Sequence, residues 1–178
     1  MKDVEQQIRL VGQFQIECVL VGGVAATVHG SSIPTQDLDI CYSRDGANLT
    51  RVVEALRSVH ATLRGAPKDI PFILDEETLR RGLNFTFDTD VGKLALLGEV
   101  RGVGIYADCL DNADQAEIFG YRHYVLSLEK LIDAKRAAGR SKDLIALPEL
   151  EAILEHRKAH EGVSSEIVGE AVRADLTS

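Results

Sequence analysis

Two aspartates, Asp37 and Asp39, stand one residue apart in the segment Thr35-Gln-Asp-Leu-Asp-Ile. On a strand, side chains alternate between faces, so both carboxylates project together while Leu38 and Ile40 turn to the other side. Two carboxylates that close repel each other, and a bound divalent cation offsets the repulsion. Oxygen-rich sites of this type suit Mg²⁺, which also takes water and phosphate oxygens as ligands. Taken alone, the pattern is common by chance and fits a solvated edge strand better.

A second pair, Gly22-Gly23, ends the apolar run Ile16 to Val21 and opens a short helical stretch. Glycines there let backbone N–H groups approach a phosphate at a helix N-terminus. They fit an ordinary tight strand-to-helix turn too, and the full glycine pattern of a P-loop or dinucleotide fold is absent. A third feature is Lys135. It continues the apolar stripe of Leu128, Leu131 and Ile132, so it either snorkels outward or reaches a buried anion. Arg136, Arg140 and Lys142 follow, making a local basic cluster in an acidic chain. Such a cluster suits a triphosphate better than a long polyanion, although Arg136 and Lys142 also fit a solvated helix face.

These groups need a frame, and hydrophobic periodicity predicts one. Val4, Ile8 and Val11 share a helical stripe over residues 3–14, and Ile16 to Val21 reads as a buried strand. A short helix over 24–29 closes at Gly30, and a polar turn with Pro34 leads into a strand over 38–42. Leu49, Val52, Val53 and Leu56 mark a helix over 45–60. Residues 61–74, with Pro67 and Pro71, read as strand fragments and loop, and 75–81 as a short helix. Residues 84–88 and 93–97 read as a hairpin turning at Asp90-Val91-Gly92, and 117–119 with 121–125 as another around Gly120. Ser127 is the expected N-cap of the next helix. A break is expected at Arg140 to Lys142, then a new helix start at Pro148, with Leu147, Leu150, Ile153 and Leu154 inward. Val163, Ile167, Val168 and Val172 suggest a last amphipathic helix over 161–174. The expected fold is α/β (α+β), a mixed sheet with flanking helices and a helical C-terminal segment. Residues 1–126 would form the core, and residues 127–178 would pack on it within the same domain.

The chain has 178 residues, 45% of them hydrophobic, which is enough for one packed core. Its net charge of -8 argues against tight unspecific binding to nucleic acid, which depends on basic side chains. Cys18, Cys41 and Cys109 are odd in number and widely spaced, and read as small buried hydrophobes in a reducing compartment. The chain shows no apolar signal core and no stretch able to span a bilayer, so a soluble, cytoplasmic protein is expected.

Val19-Leu-Val-Gly-Gly-Val-Ala-Ala-Thr-Val-His-Gly, followed by Thr35-Gln-Asp-Leu-Asp-Ile, resembles the nucleotidyltransferases of the DNA polymerase β superfamily. The spacing is G-G-x13-D-x-D. The stretch Lys135-Arg-Ala-Ala-Gly-Arg-Ser-Lys-Asp143 is similar to one in small bacterial members, including relatives of abortive-infection (type IV toxin–antitoxin) toxins. The resemblance covers about residues 16–155. It implies that Gly22 and Gly23 hold nucleotide phosphates, with Thr35, Arg140 and Lys142 among the nucleotide-binding residues. It further implies that Asp37 and Asp39 ligate Mg²⁺ (or Mn²⁺) and that Lys135 pairs with the triphosphate. The implied reaction moves a nucleoside monophosphate from a triphosphate to a hydroxyl on a protein, a transfer RNA end or a small molecule. An antitoxin partner is implied for a toxin-like role.

The small bacterial relatives carry a third carboxylate in a strand reading G-x-L-D-L-L-G-E. Here that strand is Gly92-Lys-Leu-Ala-Leu-Leu-Gly-Glu99, and the aspartate position is Ala95. In two-metal transfer the third carboxylate serves the attacking oxygen. Asp88 on the partner strand and Glu99 are the nearby acids. The relatives also carry a basic residue where this chain has Ser31-Ser-Ile-Pro34. A non-catalytic nucleotide-binding or interaction module on the same fold is therefore the alternative expectation.

Overall fold

The computed structural model describes residues 2–66 and 72–175, with side chains over 4–66 and 72–160. The first half contains α1 (Lys2–Gln13), β1 (Cys18–Val21), α2 (Gly22–His29), β2 (Asp37–Tyr42), α3 (Gly46–Ser58), β3 (Thr62–Leu63) and α4 (Glu76–Arg81). Next come β4 (Asn84–Thr89), β5 (Gly92–Leu97), β6 (Glu99–Val100), β7 (Gly104–Ile105) and α5 (Tyr106–Asp111). The chain continues through β8 (Ala113–Ile118), β9 (Tyr121–Leu126), α6 (Leu128–Ala138) and α7 (Ser141–Asp175).

Seven strands form one mixed sheet in the order β3-β4-β5-β2-β1-β9-β8, and β6 and β7 pair separately. The β2–β5 and β1–β9 pairs are parallel, and the others are antiparallel. Direct partners in a ladder share a face. One face thus carries Leu20, Leu38, Ile40, Leu94 and Leu96, all buried in the main core. The other carries Asp37, Asp39, Lys93 and Ala95. The two-residue period of the strand separates core from chemistry within β2.

Helix α1 packs across β2, β5 and β9, and its Leu10 meets Ala55 and Val59 at the end of α3. Asp45 caps α3 by accepting from the Ala47 N–H at 2.9 Å, and Asp75 caps α4 by accepting from Thr78 at 2.8 Å. On α6 the buried Leu128, Leu131 and Ile132 enter the main core, and Ala146 and Leu150 of α7 join them. His29 ties this side together. Its Nε2 donates to the Leu126 carbonyl at 2.8 Å, while Arg157 on α7 donates to the His29 carbonyl at 2.9 Å.

Several expectations shift. The first strand begins at Cys18, since Ile16 lies in the turn that leaves α1. Helices α2 and α3 carry the expected short and long helices, with Asp45 as a cap. The second hairpin is longer than expected, because β8 starts at Ala113. Ser127 is the N-cap residue of α6 but makes no side-chain cap bond. The helix break falls at Gly139-Arg140, where Gly139 takes φ +63°, and Ser141 already belongs to α7. Pro148 starts no helix. It lies inside α7, whose apolar residues on both sides of it, Ala146 and Leu150, are held in the core. That packing outweighs the missing N–H bond. Helix α7 continues to Asp175, so the expected separate helix over 161–174 is its continuation; the side chains of Val163, Ile167, Val168 and Val172 lie outside the described residues. The stretch with Pro67 and Pro71 also lies outside them.

Candidate active site

The site forms where β1 turns into α2, beside β2 and β5, beneath the junction of α6 and α7. Gly22 has φ +64°, a region where an L side chain is strained. The Asp39 carboxylate sits where a Cβ on Gly22 would be. Gly23 is crowded in the same way by Thr35, whose hydroxyl donates to the Asp37 carbonyl at 3.2 Å. The glycine pair lets β2 bring its aspartates directly against the start of α2, and α2 has no side-chain cap there. Its first N–H groups are thus left for another partner.

These groups line a cleft of about 490 Å³. Its wall carries the cations Arg64, Lys93, Arg101, Lys135, Arg140 and Lys142. The carboxylates along it are Asp37, Asp39, Glu99 and Asp143. An acidic protein has concentrated positive charge at one place, which attracts an anion. Of the expected site residues, Gly22, Asp37, Asp39, Lys135, Arg140, Lys142 and Ala95 share this cleft. Gly23 and Thr35 do not line it.

Burial pushes the Asp39 carboxyl above its ordinary value, and the charge of Asp37 adds to that. Lys142, then Arg140 and Lys135, work against the rise. Neither aspartate side chain accepts a hydrogen bond among the described residues. This is an adjacent oxygen pair with no hydrogen-bond donor of its own, and it fits one hard divalent cation. A third protein ligand is missing: Asp39 pairs directly with Ala95 across β2 and β5, and Ala95 pairs with Thr86 on β4. Among the described residues no group of three or more His, Cys, Asp or Glu side chains gathers around a point. Asp88 shares the face of Lys93 and Asp37, but it is held by Arg64, whose Nη2 donates to it at 2.8 Å. That bond first, with the charge of Arg64, keeps the Asp88 carboxyl below its ordinary value.

Lys135 reaches inward. Its side chain is 11% exposed and pairs with Asp143 at 3.6 Å. Asp143 is itself 3% exposed and accepts from Arg140 Nε at 2.6 Å. Burial alone would raise the Asp143 carboxyl, but the Arg140 bond and the charges of Arg140, Lys135 and Lys142 hold it below its ordinary value. Lys142 has no ion pair among the described residues. Sequence reasoning missed Asp143 and Arg64. Asp143 ends the basic run and could have been weighed with it, whereas nothing in the local sequence marks Arg64. Ser31 and Ser32 grip Glu149 of α7: the Ser31 hydroxyl donates to it at 2.5 Å, and the Ser32 N–H and hydroxyl at 2.8 and 2.7 Å. This loop closes on a carboxylate of the chain's own.

The three cysteines are free and buried, as expected. Among the described residues no helix is long and apolar enough to cross a membrane.

No family model and no curated protein matches the chain. Solved structures do match. The lincosamide antibiotic adenylyltransferase LnuA, solved with lincomycin bound, superposes with a TM-score of 0.56 at 12% identity, over 86% of this chain and 97% of that one. A nucleotidyltransferase assigned in Thermotoga maritima, TM1012, gives 0.54 at 16% identity over 83% and 91%. The antibiotic-resistance factor ANT(2'')-Ia gives 0.53 at 11% identity over 96% of each chain. The mixed sheet, its flanking helices and these three likenesses give the chain the nucleotidyltransferase fold.

Proposed function

We propose that the protein is a nucleotidyltransferase that moves a nucleoside monophosphate from a nucleoside triphosphate to an acceptor hydroxyl and releases pyrophosphate. The observation that carries this reading is the meeting of Asp37 and Asp39 with the Lys135, Arg140 and Lys142 cluster in one cleft. Asp37 and Asp39 would hold Mg²⁺ or Mn²⁺, which neutralises phosphate charge and orients the phosphate when bound. The α2 N-terminus at Gly22 and Gly23 offers N–H groups to phosphate oxygens. Lys135, Arg140 and Lys142 offset charge on the leaving pyrophosphate. Asp143 holds the first two in place before the nucleotide arrives. Thr35 ties the start of β2 in place through its bond to the Asp37 carbonyl. The core and its C-terminal helices work as one unit, in the cytoplasm. The likeness to abortive-infection toxins adds an antitoxin as a candidate partner.

A second reading is a non-catalytic nucleotide-binding or interaction module, and Ala95 favours it. Calorimetry with each triphosphate, with and without Mg²⁺, combined with a pyrophosphate assay, separates the two. Metal-dependent binding with pyrophosphate release, both lost in Asp39→Asn, is expected. Binding without release would select the second reading, and no metal-dependent binding at all would sink both.

A further inference from the structure

We infer that the acceptor is a small phosphomonoester, and that its own phosphate works in the space that Ala95 leaves. This rests on the nucleotidyltransferase reading. The ladder register lays out two adjacent rows on the cleft face. One is Asp39–Ala95–Thr86 and the other is Asp37–Lys93–Asp88. On the sequence resemblance the third carboxylate would stand at residue 95, which makes the β5–β4 side of the aspartates the acceptor side. Here that position is a methyl group, and Thr86 beyond it is neutral.

Two cations flank the gap. Lys93 lies next to Ala95 on the same face and has no ion pair among the described residues. Arg64 is fixed from behind: its N–H donates to the Thr86 carbonyl at 2.8 Å, and its Nη2 and Nε donate to Asp88 at 2.8 and 3.2 Å. Its guanidinium nevertheless lines the cleft. Position 95 itself is open and uncharged, and the Lys93 ammonium and Arg64 guanidinium beside it outweigh Asp88, which accepts from Arg64 Nη2 and Nε, by one positive charge. That arrangement recognises an anion.

The chemistry favours a phosphomonoester over other anions. Its second pKa is about 6, so near neutral pH it is a dianion able to take a proton. Phosphodiesters lack that step, and the net charge of -8 opposes a long polyanion. In the reaction the acceptor oxygen forms a bond to the α-phosphorus as the bridging α–β P–O bond breaks. The electron pair leaves with pyrophosphate. The hydroxyl proton passes to an oxygen of the acceptor's own phosphate, which Lys93 and Arg64 hold. The substrate supplies the base that the chain lacks.

The test is calorimetry of inorganic phosphate binding to the protein already saturated with a non-hydrolysable triphosphate analogue and Mg²⁺. Saturation closes the triphosphate subsite. Phosphate is expected to bind, and Lys93→Ala and Arg64→Ala are expected to weaken it at least tenfold while analogue binding is unchanged. Ala95→Asp is expected to abolish phosphate binding by filling and charging the gap, again with the analogue retained. No phosphate binding to the analogue-loaded protein would overturn the inference. So would binding indifferent to Lys93 and Ala95, or an unphosphorylated RNA oligonucleotide taking the place of phosphate. Failure of the analogue itself to bind would instead overturn the nucleotidyltransferase reading.

Discussion

The Asp39 carboxylate occupies the space in front of Gly22 where a Cβ would stand. Backbone and carboxylate are thus in direct contact, and the positive φ of Gly22 makes the contact possible. Gly22→Ala must strain the backbone by about 1–2 kcal/mol and displace the carboxylate as well. Chemical denaturation should show at least that loss. Metal-dependent triphosphate binding should fall further than the stability change explains. An alanine variant with normal affinity would mean that the contact is incidental.

Asp39 is also a like-charge neighbour of Asp37, half-buried and without a hydrogen bond among the described residues. Its raised carboxyl pKa means that the folded state holds its proton more tightly than the unfolded state. Its contribution to stability therefore falls as pH rises through the range above 3.8. Asp39→Asn should then raise the melting temperature of the metal-free protein at neutral pH, measured in EDTA. The same variant should lose at least about tenfold in metal-dependent nucleotide affinity. A gain in stability with a loss in binding marks a site built for a ligand, whereas a loss in both would make Asp39 structural.

Asp143 behaves in the opposite sense. Its carboxyl is held below 3.8, so its contribution is fully present above that value and is lost as pH falls through the lower, folded-state pKa. Asp143→Asn should cost about 1.5–3 kcal/mol at neutral pH, the range for a hydrogen bond to a charged group. The gap between the two proteins should close as the pH drops below 3.8. Urea unfolding across that range reads it directly.

Leu150 tests whether α7 belongs to the core. It is fully buried, three residues after Leu147 and two after Pro148. Leu150→Ala should cost about 2–5 kcal/mol. Ile145→Ala on the same helix should change stability by about 0.5 kcal/mol or less, because Ile145 is 72% exposed.

What could be read from the sequence followed from strict periods. The alternation in β2 placed Asp37 and Asp39 on one face, and the helical stripe turned Lys135 inward. The acid that Lys135 meets was hidden because Asp143 lies across the turn at Gly139, where no period carries over. Arg64 was invisible for a similar reason: β3 has two residues and reaches the site only through its partner β4. Strands β6 and β7, also of two residues, and the six-residue α5 are too short to show a pattern. Pro148 misled because proline commonly opens helices, while here Ala146 and Leu150 hold α7 on the core through it.

The most direct measurement is label transfer from α-³²P nucleoside triphosphates with Mg²⁺ or Mn²⁺. Small phosphomonoesters, their neutral counterparts, bulk protein and total RNA would be offered as acceptors. The chain would be run beside Ala95→Asp and Asp39→Asn. The chain is expected to label a phosphomonoester in a metal-dependent reaction, and Asp39→Asn is expected to label nothing. Label on no acceptor from either the chain or Ala95→Asp, with the triphosphates left intact, would contradict this.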